Sequence, residues 1–367
     1  MNKRTKSNIP FVGLHAHSVA GSLFDALGYP PDHMDFAYEN GCDALALTDH
    51  GNANGLSHQV LHAKKMKEQG RTFKPIFGCE AYFIPSISEW RDEYEKALED
   101  KKRAKSLGSE LSGATVEDEN SSKKVQDVLR RRRHLILLAQ NQTGLQNLFK
   151  LISESYKSEN FYRYPRMDYD LLAKYGEGVI AASACLGGVY AGNFWENREE
   201  GDEAVLNAMR ETTRRMVAIF GDRWYGELQW NNVPEQHKLN QFIIKMHEEF
   251  GIGLISTADS HYPNPDAWKD RELYKRLGWL GKAAPSYEST ELPIDVDEIG
   301  YELYPKNGDQ MWESYKKYSA ECGVEYDDDL VLQSIKHTHE IAHQRIDDFL
   351  PDNTVRLPDF VVPAGYT

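Results

Sequence analysis

The chain has 367 residues, 40% of them hydrophobic and 27% charged, so it can bury a sizeable core and is not globally disordered. Its formal charge is −14 (43 basic against 57 acidic residues), which argues against a protein that coats duplex DNA through a basic face, although bound cations can reverse that sign locally. No apolar run nears the ~20 residues of a membrane span, no signal-peptide core is present, and Cys42, Cys79, Cys185 and Cys322 show no C-x-x-C spacing, so a reduced, cytoplasmic protein without a membrane partner is expected.

In chain order, seven short apolar runs recur: 11–17 (FVGLHAH), 44–50 (ALALTDH), 74–83 (KPIFGCEAYF), 134–140 (HLILLAQ), 178–185 (GVIAASAC), 224–230 (WYGELQW) and 253–261 (GLISTADSH). They are too short for helices and nearly continuous in hydrophobicity, as in strands of a parallel sheet buried on both faces. Between them the pattern predicts helices over 32–40, 56–69, 144–155, 204–220 and 235–250, with Gly41, Gly70, Gly221 and Gly251 as stop signals. This alternation points to an α/β barrel, with a doubly wound sheet as the alternative. The charged segment 86–133 reads as a solvated helical insertion; a DNA-contacting arm is the sharper reading. After Tyr262 the alternation stops, leaving helices near 266–277 and 330–347 around an acidic, Pro-punctuated stretch. The expected division is a barrel domain over 1–265 and a mainly helical extension over 266–367.

Polar residues stand where the runs finish: His15 and His17, Asp49 and His50, Glu80, Cys185, then Asp259 and His261. In a barrel of parallel strands the C-terminal ends form one mouth, so these side chains converge although they are far apart in sequence. Imidazoles, carboxylates and a thiolate around one cavity are ligands for divalent transition metals. In H-x-H on a strand both rings point to one side, so one ion can take both. Each piece alone has a plainer account: a packed histidine pair, a helix cap at Thr48-Asp49, a small core residue at Cys185. Five of seven runs placing such residues at the same end is harder to explain that way. Glu227, on the sixth run, joins the set on this argument.

GLHAHS, LTDHG, GCEAY, HLILLAQN, SACLGG and TADSHY, in that order, resemble the polymerase and histidinol phosphatase (PHP) domain, most closely the one that opens the alpha subunit of bacterial-type C-family replicative DNA polymerases. The linking NQTGLQNLFKLISESY and FYRYPRMD resemble that subunit too. The resemblance implies a distorted seven-stranded β/α barrel and nine metal ligands: His15, His17, Asp25, His50, Glu80, His134, Cys185, Asp259 and His261. Asp25 and His134 enter on the resemblance alone. It further implies three divalent ions (Zn, Mn or Fe, with Mg as an option), a 3′→5′ exonuclease acting on single-stranded DNA 3′ ends, and replisome partners. His15, His17, His50, Glu80, Asp259 and His261 would carry the chemistry, with Asp49 orienting ligands. Arg130, Arg131, Arg132, Arg133, Arg163 and Arg166 are candidates to guide phosphates, against ordinary solvated or ion-paired arginines.

Two other motifs compete. His339-Glu340-Ile341-Ala342-His343 fits H-E-x-x-H, but no His or Glu follows to complete a zinc peptidase site. Asp295 and Asp297 read as a solvated acidic loop. The chain ends about where a polymerase palm would start, so this polypeptide alone is not expected to polymerise DNA and would need the palm and fingers as a further portion or partner chain. A histidinol-phosphate-type small-molecule phosphatase and a non-catalytic module stabilising a polymerase remain as alternatives.

Overall fold

The computed structural model describes residues 4–110, 116–279, 301–351 and 354. Six strands form the body of a barrel: β1 (Ala44–Leu47), β2 (Lys74–Phe83), β3 (Arg133–Ala139), and, after a short hairpin of β4 (Phe161–Tyr162) and β5 (Tyr164–Met167), β6 (Val179–Ala182), β7 (Trp224–Gln229) and β8 (Gly253–Thr257). Their order is β1-β2-β3-β6-β7-β8, with β5 branching from the end of β2. The segment 11–17 is no regular strand, contrary to its predicted role, but it closes the ring as a seventh stave. It bridges Leu45 through Gly13 and Ser260 through Ala16, and His17 N–H donates to the Ser260 carbonyl. Val12 and Leu14 face the inner core, and so does His15, so the period-two alternation slips by one residue there.

The ring is not all parallel, as the alternation of elements predicts. β3 pairs antiparallel with both β2 and β6, while the remaining ring pairs are parallel. Reversing one strand puts its N-terminal end at the rim where its neighbours finish. Tyr82 near the end of β2 is thus paired with His134 at the start of β3.

Inside the barrel Val12, Leu14, Ala46, Ile76, Ile136, Leu138, Ile180 and Ile255 form one apolar layer. Helices α1 (Pro30–Glu39), α2 (Leu56–Glu68), α5 (Gln142–Ser155), α6 (Tyr169–Tyr175), α7 (Val189–Asn197), α8 (Asp202–Phe220) and α9 (Pro234–Phe250) surround it. α9 stops at Gly251, which takes φ 67° and returns its N–H to the His247 carbonyl, a conformation glycine adopts without Cβ strain. The insertion is a helical pair, α3 (Ile87–Glu110) and α4 (Val116–Arg130). They pack through Trp90, Ala97, Val125, Val128 and Leu129, with Trp90 Nε1 donating to the Val128 carbonyl at 2.8 Å.

After α10 (Trp268–Trp279), α11 (Gly308–Glu321) and α12 (Asp328–Glu340) pack back onto the barrel. The helix predicted over 330–347 stops at Glu340 and widens into a π turn, Ile341–Arg345. Ile341, Ala342 and Ile346 plug the inner core at the pole opposite the rim. There Lys74 Nζ donates to the Ala342 and Ile346 carbonyls at 2.7 and 2.6 Å. Ser334 meets Ser256 at 2.7 Å, and Val12 N–H donates to the Thr338 hydroxyl. Asp295, Asp297 and the tail from 355 lie outside the described residues.

Candidate metal centre

Alternation along the strands raises a polar crown directly over the apolar layer. On β2 the inward positions run Ile76, Gly78, Glu80; on β3 they run Leu138, Ile136, His134; on β7, Tyr225 is followed inward by Glu227. Glu80 is fully buried and central: His15 Nε2 and His134 Nδ1 each lie 3.2 Å from its Oε1, and His50 Nδ1 lies 2.5 Å from its Oε2. Asp259 Oδ1 stands 3.0 Å from His15 Nε2 and 3.2 Å from His17 Nε2. Its backbone is left-handed (φ 51°), a conformation asparagine and aspartate tolerate better than most residues, and this turn follows the end of β8. Asp25 reaches His50 Nε2 at 3.0 Å and His261 Nε2 at 3.5 Å. Cys185 Sγ lies 3.7 Å from His134 Nδ1 and 4.0 Å from Glu80 Oε1. All nine positions carried by the sequence resemblance therefore meet at one rim.

The arrangement fits bound cations better than it fits self-contained hydrogen bonding. Three overlapping sets, His15/His17/Glu80, His17/His50/His261 and His50/Glu80/His134, each bring their donor atoms within 4.8 Å of one another. His50 Nδ1, Glu80 Oε2 and Asp259 Oδ1 are buried and face one another or the His15 and His17 ring nitrogens without hydrogen-bond geometry, and Glu227 Oε2 is buried with no partner. Such atoms cost free energy unless something else satisfies them. The Nε2 atoms of His15 and His17 face one another at 3.0 Å, as two ligand nitrogens around a common ion do.

Behind the rim, a second set of groups fixes the imidazole tautomers. Glu227 Oε1 lies 2.7 Å from His15 Nδ1, so it accepts that N–H and turns Nε2 towards the cluster, where a bound cation would displace its proton. It also accepts from Thr257 at 2.5 Å and Gln229 at 3.0 Å. Glu227 is thus a carboxylate that orients His15 rather than one more donor in the shared sets. Ser22 Oγ approaches His17 Nδ1 at 3.3 Å and accepts from the His50 N–H, while donating to Asp49 Oδ1 at 2.9 Å. Asp49 also accepts from the Ser18 N–H and hydroxyl, so it acts on the histidines through a serine loop. His261 donates Nδ1–H to the Asp259 carbonyl at 2.7 Å.

Charges oppose burial at His15 and add to it at His17 and Cys185. Burial alone would lower the His15 pKa, yet Asp259, Glu227 and Glu80 outweigh it and raise it well above the usual range. His17, buried between His50 and His261, is pushed down to about 3. Burial and the carboxylates of Asp259 and Glu80 drive the Cys185 thiol up, so it becomes a thiolate ligand only beside a cation.

The arginines divide sharply. Arg166 is buried and donates to the carbonyls of Arg131, Tyr162, Tyr164 and Leu129 while stacking on Trp90 at 4.3 Å. It holds the insertion to the barrel and offers no surface to nucleic acid. Arg131 pairs with Glu93 and Arg133 with Glu196. Arg163 is exposed and lies over Tyr162 at 5.8 Å, and Arg130 is exposed at the end of α4. Arg132 is the one that borders the rim: it covers Tyr164 at 3.9 Å and Tyr82 at 5.7 Å, and Tyr82 stacks 6.0 Å from the His50 ring. Its Nε has no hydrogen-bond partner.

Arg271, on α10, has no signal in the sequence. It clamps Asp25 with two bonds of 2.7 Å, to Oδ1 and to the carbonyl.

A distorted barrel with a histidine, carboxylate and thiol rim defines the class, and the chain belongs to the PHP domain family, whose model matches residues 13–231. It is 37% identical over 360 residues to the DNA polymerase III subunit alpha of Aquifex aeolicus (strain VF5), covering 97% of this chain. To the same subunit of Thermus aquaticus it is 31% identical over 366 residues, covering 98% of this chain. The chain spans 26% and 25% of the length of these two relatives. Among solved structures, an amidohydrolase from Chromobacterium violaceum, with bound sulfate and no metal, aligns at TM-score 0.35 and 16% identity, covering 72% of this chain and 96% of that one. No helix among the described residues is long and apolar enough to cross a membrane.

Proposed function

We propose that the rim is a divalent-metal phosphodiesterase centre that removes nucleotides from DNA 3′ ends, as the 3′→5′ exonuclease portion of a replicative polymerase alpha subunit in the cytoplasm. The observation that carries this reading is the convergence of nine donor side chains at one rim, where buried ring nitrogens and carboxylate oxygens face one another without hydrogen-bond geometry. His15, His17, Asp25, His50, Glu80, His134, Cys185, Asp259 and His261 would hold three cations. Bound there, such ions would supply positive charge to a phosphate and acidify water near neutral pH.

The chain's own contribution is orientation. Glu227 and the Asp49–Ser22 pair would hold protons on Nδ1 of His15 and His17 and turn each Nε2 towards the shared cluster. Arg271 fixes Asp25 at the side of the rim that faces α10. Arg132, presented on Tyr164 and Tyr82, would meet a phosphate, and the two tyrosine rings would take a base by stacking.

The test uses the chain stripped of metal and reloaded with Mn²⁺ or Zn²⁺, on single-stranded and 3′-recessed DNA with and without chelator. Stepwise loss of 3′ nucleotides that chelator stops, and that His15→Ala/His17→Ala removes, is expected. Loaded protein that releases phosphate from small monoesters and leaves DNA intact would favour a phosphatase. Protein that binds no metal at the rim would leave only a stabilising module.

A further inference from the structure

Apart from the rim, His339, His343 and Asp43 are the described residues whose donor atoms meet within 4.8 Å of one another. They stand at the opposite pole. Asp43 immediately precedes β1, and the histidines sit on the last turn of α12 and in the π turn that follows. Asp43 Oδ1 lies 3.1 Å from His343 Nε2 and its Oδ2 lies 3.8 Å from His339 Nε2, with the two rings 4.4 Å apart. The sequence objection to H-E-x-x-H was that nothing downstream completes it; the fold completes it from far upstream.

We propose that Asp43, His339 and His343 form a second transition-metal site, one that fastens the barrel plug to the first strand. Two imidazoles and a carboxylate suit Zn²⁺ and its neighbours rather than Mg²⁺ or Ca²⁺. Histidines four apart share a helix face, and the negative end of a helix favours a cation. The three side chains are between 31% and 42% exposed, so an ion can enter without opening the core. The nearby Lys74 ammonium is turned away into the carbonyls of Ala342 and Ile346 and so leaves Asp43 to the histidines. The π turn places His343 beside Asp43 while Ile341 and Ala342 stay buried in the barrel. This site is structural: the ion would tie residues some 300 positions apart across the base of the barrel.

The experiment titrates Zn²⁺ into the metal-stripped full chain and counts bound equivalents, for the parent, His343→Gln and Asp43→Asn. Each variant should bind one equivalent fewer than the parent and lose part of the Zn²⁺-dependent rise in Tm. His15→Ala/His17→Ala should keep the far-pole equivalent, so failure at the rim and failure here are distinguishable. Equal stoichiometry in the parent and both variants would overturn the proposal. His343→Gln keeps volume and a hydrogen bond to Asp43, and chelator-treated Tm values identify any variant that simply misfolds.

Discussion

Replacing Glu227 by glutamine changes one atom in a buried group and isolates the orienting role from the ligand role. Glu227 Oε1 receives three donors: His15 Nδ1 at 2.7 Å, Thr257 at 2.5 Å and Gln229 at 3.0 Å. The glutamine carbonyl can keep all three, but without charge, and its NH₂ takes the place of Oε2, which is buried with no partner. A charge-assisted bond is roughly twice as strong as a neutral one, so the His15 bond weakens by about 1–2 kcal/mol. Changes at such outer carboxylates typically cost about 10–100-fold in metal affinity, or about 1.4–2.7 kcal/mol, in agreement with that figure. The assay is a Mn²⁺ or Zn²⁺ titration of Glu227→Gln beside the parent, with Tm measured in chelator for both. Because the change removes one of four crowded carboxylates, the stripped variant should melt no lower than about 3 °C below the parent. Metal affinity and nuclease rate equal to the parent's would refute the claim that Glu227 sets the His15 tautomer.

Arg166→Ala should destabilise the fold by more than about 3 kcal/mol in urea unfolding, since it strands several buried carbonyls and empties the space against Trp90. Arg132→Ala should cost under about 1 kcal/mol in the same measurement, yet weaken single-strand binding and reduce the slope of log K against log salt by about 0.7. Asp49→Ala leaves the Ser18 N–H and two serine hydroxyls without their acceptor in a buried loop, so a loss of roughly 3 kcal/mol is expected from unfolding curves, together with weaker metal binding. Acid should loosen the attachment of α11. Burial alone would raise the Glu302 pKa, but Lys306 at 2.9 Å, Tyr318 and Ser314 pull it down to about 2. Its stabilisation is complete above the unfolded value near 4.5 and is lost as pH falls from there towards 2. Burial of Lys306 disfavours that residue's own charge and offsets part of the gain, so the net loss is about 1–2 kcal/mol. Glu302→Gln should flatten the stability profile over that window; an unchanged profile would contradict it.

Much of the barrel was readable because strand, helix and glycine signals are local. β2 has the bounds the apolar run predicts, and the five helices predicted between the runs begin and end within two residues of α1, α2, α5, α8 and α9, whereas α12 stops well short of its predicted end and α6, α7 and α11 had no periodic signal. His15, His17, His50, Glu80, Cys185, Asp259 and His261 stood out for the same reason, as side chains at the ends of short runs, whereas Asp25 and His134 entered on the resemblance alone. The segment 11–17 departs from its pattern because Leu14 and His15 both turn inward. The hairpin of β4 and β5 has only six residues across both strands, too few for a periodic signal to rise above the flanking sequence.

Residue types and their order settled which chemistry this chain can host: imidazole, carboxylate and thiol donors on a β/α frame. Strand direction belonged to the tertiary structure. An antiparallel β3 explains why His134, at the start of its strand, stands with residues that end theirs, since pairing depends on neighbours distant in sequence and not on the strand's own composition. Folding also sorted the look-alikes. It made Glu227 a partner of His15, sank Arg166 into the wall, left Arg132 at the rim, brought Arg271 to Asp25, and set Asp43 beside two histidines from the other end of the chain. A side chain's role follows from what surrounds it in space, and each of these residues has a partner more than thirty positions away: His15 for Glu227, Arg131 for Arg166, Tyr164 for Arg132, Asp25 for Arg271 and His343 for Asp43.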